Sequence, residues 1–173
     1  MSIVVCPLSH VDAQFAECAP THVISILDPG SAFPSFDASW AGKHLRLSFH
    51  DAHYAGRGVT IASADDITQL VDFLKEWNAS GSLLIHCRAG IGRSTATAFV
   101  AACVREPQAD EHALARQLRR VAPLARPNET MVRLADAVLG RHGRMSMAIA
   151  ATGHGLPWLD VSEGVPFALD VAT

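Results

Sequence analysis

The stretch Leu83-Leu84-Ile85-His86-Cys87-Arg88-Ala89-Gly90-Ile91-Gly92-Arg93-Ser94 decides how the rest of the chain is read. It opens as an apolar run with the character of a buried strand, breaks at two glycines, and continues into an Ala-rich segment with the character of a helix. A loop curled between a strand end and a helix start turns successive backbone N–H groups inward, which makes an anion nest. Gly90 and Gly92 supply the tight conformations that such a loop needs. Cys87 stands at the strand end, with Arg93 six residues on. Inward amides, a helix dipole and a guanidinium all favour thiolate over thiol. The planar fork of Arg93 suits two oxygens of a tetrahedral oxyanion.

A thiolate beneath an oxyanion cradle is suited to in-line attack on phosphorus, leaving a phosphocysteine intermediate. The run His86-Cys87, five residues, Arg93-Ser94 resembles the signature loop of the cysteine-based protein tyrosine and dual-specificity phosphatases. A buried cysteine followed by a chance glycine turn accounts for Cys87 alone, not for His86, both glycines, Arg93 and Ser94 together. The resemblance implies Cys87 as nucleophile, Arg93 as phosphate clamp and His86 as the residue that holds the loop and favours the thiolate. It implies Ser94 as the hydroxyl that stabilises departing Cys87 when water cleaves the intermediate. The main chain of Arg88, Ala89, Gly90, Ile91, Gly92 and Arg93 would bind the phosphoryl oxygens.

A leaving oxygen must be protonated as its P–O bond breaks, and the resemblance implies an Asp on a mobile loop roughly thirty to forty residues before the nucleophile. Asp51 lies 36 residues before Cys87, at a strand end and on a loop bearing Gly56 and Gly58. Asp65 and Asp66 have a better role in a first helical turn, and Asp37 lacks strand context. No Trp-Pro-Asp tripeptide surrounds Asp51, a departure from classical tyrosine phosphatases. Downstream, Arg126-Pro127-Asn128 resembles a stretch of small bacterial members of the superfamily. For Asn128 this implies support of the signature loop, while helix capping accounts for the same residue. Asp28, in Asp28-Pro29-Gly30, reads as a turn residue. His50 and His53 flank Asp51 without the further spaced ligands of a metal site, so neither metal nor cofactor is expected.

Composition sets the outer bounds. A chain of 173 residues with 49% hydrophobic content suits a globular fold with its own core. A net charge of -3 supplies no basic field for nucleic acid. Cys6, Cys18, Cys87 and Cys103 show no paired spacing, as expected of reduced thiols. The start Met1-Ser2-Ile3-Val4-Val5-Cys6-Pro7 lacks a basic leader, and no window approaches the ~20 apolar residues of a membrane span. The expected location is cytoplasmic.

In chain order, Ile3–Cys6 reads as a strand, and Ser9 as the cap of a short helix through Glu17. His22–Leu27 reads as a buried strand, 31–42 as an irregular segment, and His44–Phe49 as an alternating strand. Ser63 and Asp66 make a capping box for a helix with Ile67, Leu70, Val71, Leu74 and Trp77 on one stripe, ended at Asn78-Ala79-Ser80-Gly81. A buried helix follows Arg93, and Asp110 and Asn128 cap two more. Arg141–Ala151 extends the last of these, Gly153, Gly155 and Pro157 break the pattern, and Pro166–Leu169 offers an edge strand. The expected class is α/β, a central mostly parallel sheet flanked by helices, phosphotyrosine protein phosphatase-like. Residues 1–144 form the phosphatase domain, and 145–173 an extension packed on it.

The resulting expectation is a phosphomonoesterase for phosphorylated protein, phosphotyrosine first or with dual specificity. Arg88 at the pocket mouth keeps an inositol phosphate or phosphoinositide as the enzymatic alternative. A phosphoprotein-binding pseudophosphatase would be expected to lose Cys87 or Arg93. A rhodanese-type sulfurtransferase generally has a loop shorter by one residue, and low-molecular-weight phosphatases carry the loop near the N-terminus.

Overall fold

A computed structural model describes residues 2–77, 81–153, 155 and 161–171. The turn expected at Asn78-Ala79-Ser80 and the break at Pro157 lie outside these residues. Five strands form one sheet: β1 (Ser2–Pro7), β2 (His22–Leu27), β3 (Lys43–Ser48), β4 (Leu83–Cys87) and β5 (Phe167–Asp170), in the order β3-β2-β4-β1-β5. The first four run parallel, and β5 lies antiparallel on β1. This is the expected mostly parallel α/β architecture. β2 and β4 are buried at every position, which is why both read as unbroken apolar runs. β3 lies at the edge of the sheet and keeps a wetter face.

One face of the sheet is covered by α1 (Val11–Cys18) and the irregular segment after β2. There Phe15 stacks on Phe36 with ring centroids 4.3 Å apart, and Trp40 meets Phe15 edge-on at 5.3 Å. The other face carries α2 (Ala64–Glu76), α3 (Arg93–Arg105), α4 (Glu111–Val121), α5 (Glu129–Val138) and α6 (Arg144–Ala151). Helix α3 is buried from Arg93 to Cys103, because other helices surround it on the sheet. Phe99 at its centre has no exposed surface, and its truncation to Ala would cost about 3–5 kcal/mol.

The expected capping box is formed in full: Asp66 N–H donates to Ser63 Oγ, and Ser63 N–H to Asp66 Oδ2. Asp110 and Asn128 cap α4 and α5. Two expectations are corrected. Ser9 does not cap α1, whose N-cap is His10; its hydroxyl instead donates to Glu163 Oε2 at 2.6 Å. Residues 141–151 do not prolong α5 either. The chain turns through positive φ at Gly140, His142 and Gly143, and α6 starts anew at Arg144. Asp136 secures that restart by accepting N–H bonds from Gly143, Met145 and Ser146 at 2.6, 2.7 and 3.2 Å.

Among the described residues no helix is long and apolar enough to cross a membrane.

Candidate active site

The carboxyl ends of parallel strands are where α/β sheets place ligands. Here the end of β4 delivers Cys87, next to the ends of β2 and β1 in register with it. The loop from Arg88 to Gly92 then feeds α3. Four of its five carbonyls are held from outside the curl. Leu8 N–H donates to Arg88 O at 3.1 Å, Gly164 N–H to Ala89 O at 2.7 Å, Arg126 N–H to Ile91 O at 2.9 Å and Asn128 N–H to Gly92 O at 3.3 Å. The Thr95 hydroxyl adds a bond to Gly92 O at 2.9 Å. With these carbonyls committed outward, the loop has its amides left for the inside.

Cys87 Sγ accepts one of those amides, Gly90 N–H, at 3.2 Å, and lies 3.2 Å from Ser94 Oγ. Gly90 is obligatory twice over. Its φ is +71°, and a Cβ there would lie 2.7 Å from Pro7 N on β1. Gly92 is required for a different reason: a Cβ would collide with the Asp51 carboxylate resting on it.

Arg93 opens α3 with its guanidinium buried. Nη1 donates to Phe49 O at 2.5 Å and to Asp28 Oδ1 at 2.8 Å, and Nε stands 3.9 Å from Asp51 Oδ2. The Arg93 side chain is 4% exposed and that of Asp51 38%, so the carboxylate faces both the cation and solvent. Asn128 Nδ2 donates to Asp51 Oδ1 at 2.7 Å, while Asn128 Oδ1 accepts Met131 N–H at 3.1 Å as the cap of α5. The capping reading describes the contact with Met131, whereas the side-chain amide reaches Asp51 and only the backbone N–H of Asn128 reaches the signature loop. His50 is occupied locally, its Nδ1 accepting Thr60 N–H at 3.0 Å.

His86 is fully buried, with Nε2 2.5 Å from Ser25 Oγ on β2. Burial pushes its pKa down to about 4, against an opposing contact with the Cys87 backbone. Ser25 Oγ also lies 2.7 Å from His44 Nε2 on β3. His44 is likewise pushed down to about 4 by burial, then by Arg46 and His86. Burial raises Cys6 and Cys103 to about 12, which separates them chemically from any activated thiol.

The structure thus brings Cys87, Arg93, Ser94, Asp51 and Asn128 into one constellation around the loop, with His86 beneath it. Arg88 is exposed at its rim. Sequence reasoning missed Asp28, which is no mere turn residue, since it holds the Arg93 guanidinium. Its signal was positional: Asp28 directly follows β2, whose end pairs with that of β4. Ser25 was legible as the one polar residue within Val23-Ile24-Ser25-Ile26-Leu27.

Residues 42–132 match the family model of the protein-tyrosine phosphatases. Comparison with curated proteins gives no match. Among solved structures, DUSP15 aligns at 16% identity over 87% of this chain and 92% of its own, with a TM-score of 0.57. The human tyrosine phosphatase-like serine/threonine/tyrosine-interacting protein aligns at 20% identity over 79% of this chain and 86% of its own, with a TM-score of 0.55. The PTP-2 phosphatase of Cydia pomonella aligns at 25% identity over 77% and 83%, also at 0.55. The family match spans more than half of the chain and includes the whole Cys87 loop, and the fold agrees with it: the chain belongs to the protein-tyrosine phosphatase family.

Proposed function

We propose that this chain is a cysteine-dependent phosphomonoesterase that dephosphorylates proteins, with phosphotyrosine as its first substrate class and dual specificity within reach. The observation that carries this reading is one cluster in which Cys87 Sγ accepts the Gly90 amide at 3.2 Å and lies 3.2 Å from the Ser94 hydroxyl, while Arg93 and Asp51 stand beside the same loop. The phosphoryl group takes the inward amides from Arg88 to Arg93 and the guanidinium of Arg93 on its oxygens. Cys87 Sγ attacks phosphorus in line with the ester oxygen. The P–O bond breaks as the Asp51 carboxyl gives its proton to that oxygen, so the alcohol or phenol leaves neutral. Water then attacks the phosphocysteine with Asp51 as base, and the Ser94 hydroxyl stabilises the departing thiolate.

A groove of about 430 Å³ begins two residues from Asp51, lined by His53 and Tyr54, by Glu129, Thr130 and Arg133 of α5, and by Ile149 of α6. It offers room for residues flanking a phosphorylated side chain, which favours a protein substrate over a compact inositol phosphate. The signature loop carries one extra cation, Arg88, and no lysine. The test is hydrolysis of p-nitrophenyl phosphate and of phosphotyrosyl and phosphoseryl peptides by wild type, Cys87→Ser and Asp51→Asn. Turnover should vanish in the Cys87 variant and fall about 10²-fold or more in the Asp51 variant. An inert wild type that still binds phosphopeptide would replace the enzyme with a binding module.

A further inference from the structure

A chain of four side chains leads from the protein surface to the residue preceding the nucleophile. Arg46, exposed on edge strand β3, places Nε 3.2 Å from His44 Nδ1. His44 Nε2 lies 2.7 Å from Ser25 Oγ, and Ser25 Oγ lies 2.5 Å from His86 Nε2. The first link has only one possible direction, because an arginine Nε–H donates and never accepts. His44 Nδ1 is therefore a lone pair. Both imidazoles are neutral at pH 7, each being held down to about 4, so the single proton of His44 sits on Nε2 and is donated to Ser25 Oγ. The one hydroxyl proton of Ser25 is then free to go only to His86 Nε2. His86 must carry its own proton on Nδ1, which is buried without a hydrogen-bond partner among the described residues, and the Cys87 backbone is the neighbour that favours protonation of the ring.

We infer that Arg46 is a positioning residue which, acting through His44 and Ser25, fixes the Nδ1–H tautomer of His86 and so presents an N–H dipole to the main chain of Cys87. The opposite tautomer would turn a lone pair toward that backbone, on the side where the proposed mechanism needs negative charge on sulfur stabilised. The inference about the relay rests on hydrogen-bond directions alone. Only its consequence for Cys87 rests on the proposed phosphatase reading.

The logic makes a reversal possible. A carboxylate at position 46 accepts instead of donating, which pulls the His44 proton to Nδ1, turns the Ser25 hydroxyl toward His44, and requires His86 to donate from Nε2. The test is long-range ¹H–¹⁵N correlation of histidine-labelled protein near pH 7 in wild type, Arg46→Lys, Arg46→Met and Arg46→Glu. Position 46 is exposed, so these variants fold. Wild type and Arg46→Lys should show His86 as the Nδ1–H form and His44 as the Nε2–H form. Arg46→Met should mix the two forms at both residues, and Arg46→Glu should move the His86 proton to Nε2. Adding Ser25→Ala should make His86 indifferent to residue 46. An unchanged His86 tautomer across the Arg46 series overturns the relay, whether or not the protein hydrolyses phosphoesters. Loss of p-nitrophenyl phosphate turnover in wild type, with the tautomers as expected, would instead overturn the phosphatase reading alone.

Discussion

The carboxylate of Asp51 rests on the bare Cα of Gly92, so the loop proposed to bind phosphate and the loop proposed to offer the acid touch where no side chain intervenes. A methyl group at position 92 would push Asp51 away while leaving Cys87 and Arg93 in sequence. Gly92→Ala is expected to lower kcat for p-nitrophenyl phosphate about 10²-fold, as Asp51→Asn does, and to lose little further activity when Asp51→Asn is added. Additive losses in the double variant would show that the glycine serves something other than the acid.

Asn128 joins a helix cap to the same carboxylate through different atoms. Asn128→Ala should cost about 1 kcal/mol of stability from the lost cap and reduce kcat as well. Asn128→Asp keeps an oxygen for Met131 N–H but loses the donor to Asp51 and faces it with a like charge. It should approach wild-type stability in urea unfolding while its kcat falls. Equal activity in wild type and Asn128→Asp would deny the amide any role toward Asp51.

Asp28 and Phe49 O together aim Arg93 Nη1. Asp28→Ala leaves the guanidinium charge in place but frees its orientation, so phosphate monoester binding should weaken severalfold. A rise in KM with kcat nearly unchanged is the expected pattern, measured beside the competitive inhibition constant of inorganic phosphate. A tighter KM would mean that Asp28 competes with substrate for the arginine instead of aiming it.

His86 binds a proton less readily in the folded protein than in the unfolded chain, with about 4 set against the ordinary 6.5. Its contribution to stability is therefore complete above 6.5 and is lost as the pH falls toward 4. Taking urea unfolding from about pH 7.5 to about pH 5 should remove about 2 kcal/mol on account of this one group. His86→Asn should flatten that slope. A slope unchanged by the substitution would assign the acid sensitivity to other groups.

The four cysteines should separate under alkylation. Burial raises Cys6 and Cys103 to about 12 and also raises Cys18. Brief treatment with iodoacetate, an anion that the cradle of inward amides admits, should modify Cys87 alone, and phosphate should protect it. Peptide mapping that finds Cys18 labelled first would contradict the proposed role of the loop.

Much of this organisation was legible because it is local. The nine residues from His86 to Ser94 carry a strand end, a nest and a helix start in direct succession, and Ser63 with Asp66 forms its box within one turn. Asp51 was singled out by the chain distance that the resemblance implies and by strand context, and it lies beside Arg93 and Gly92. What escaped was set by strand order. Nothing in the spacing of Ser25, His44 and His86 says that β2 lies between β3 and β4, yet that order lines them up. Asp28 was read as a turn residue because its partner Arg93 is 65 positions away. Ser9 looked like a cap since its true partner, Glu163, comes 154 residues later.

The bond from Gly164 N–H to Ala89 O has a consequence for synthesis. A ribosome makes the chain from one direction, and Asp51, Cys87, Arg93 and Asn128 have all emerged before Gly164 does. A nascent chain complete through Ala151 holds all four of these residues and still has one carbonyl of the Cys87 loop untied, with β1 lacking its antiparallel neighbour β5. The order of translation therefore sets a delay: the loop gains its last carbonyl tie some 36 codons after Asn128, the last of these four residues, has been made.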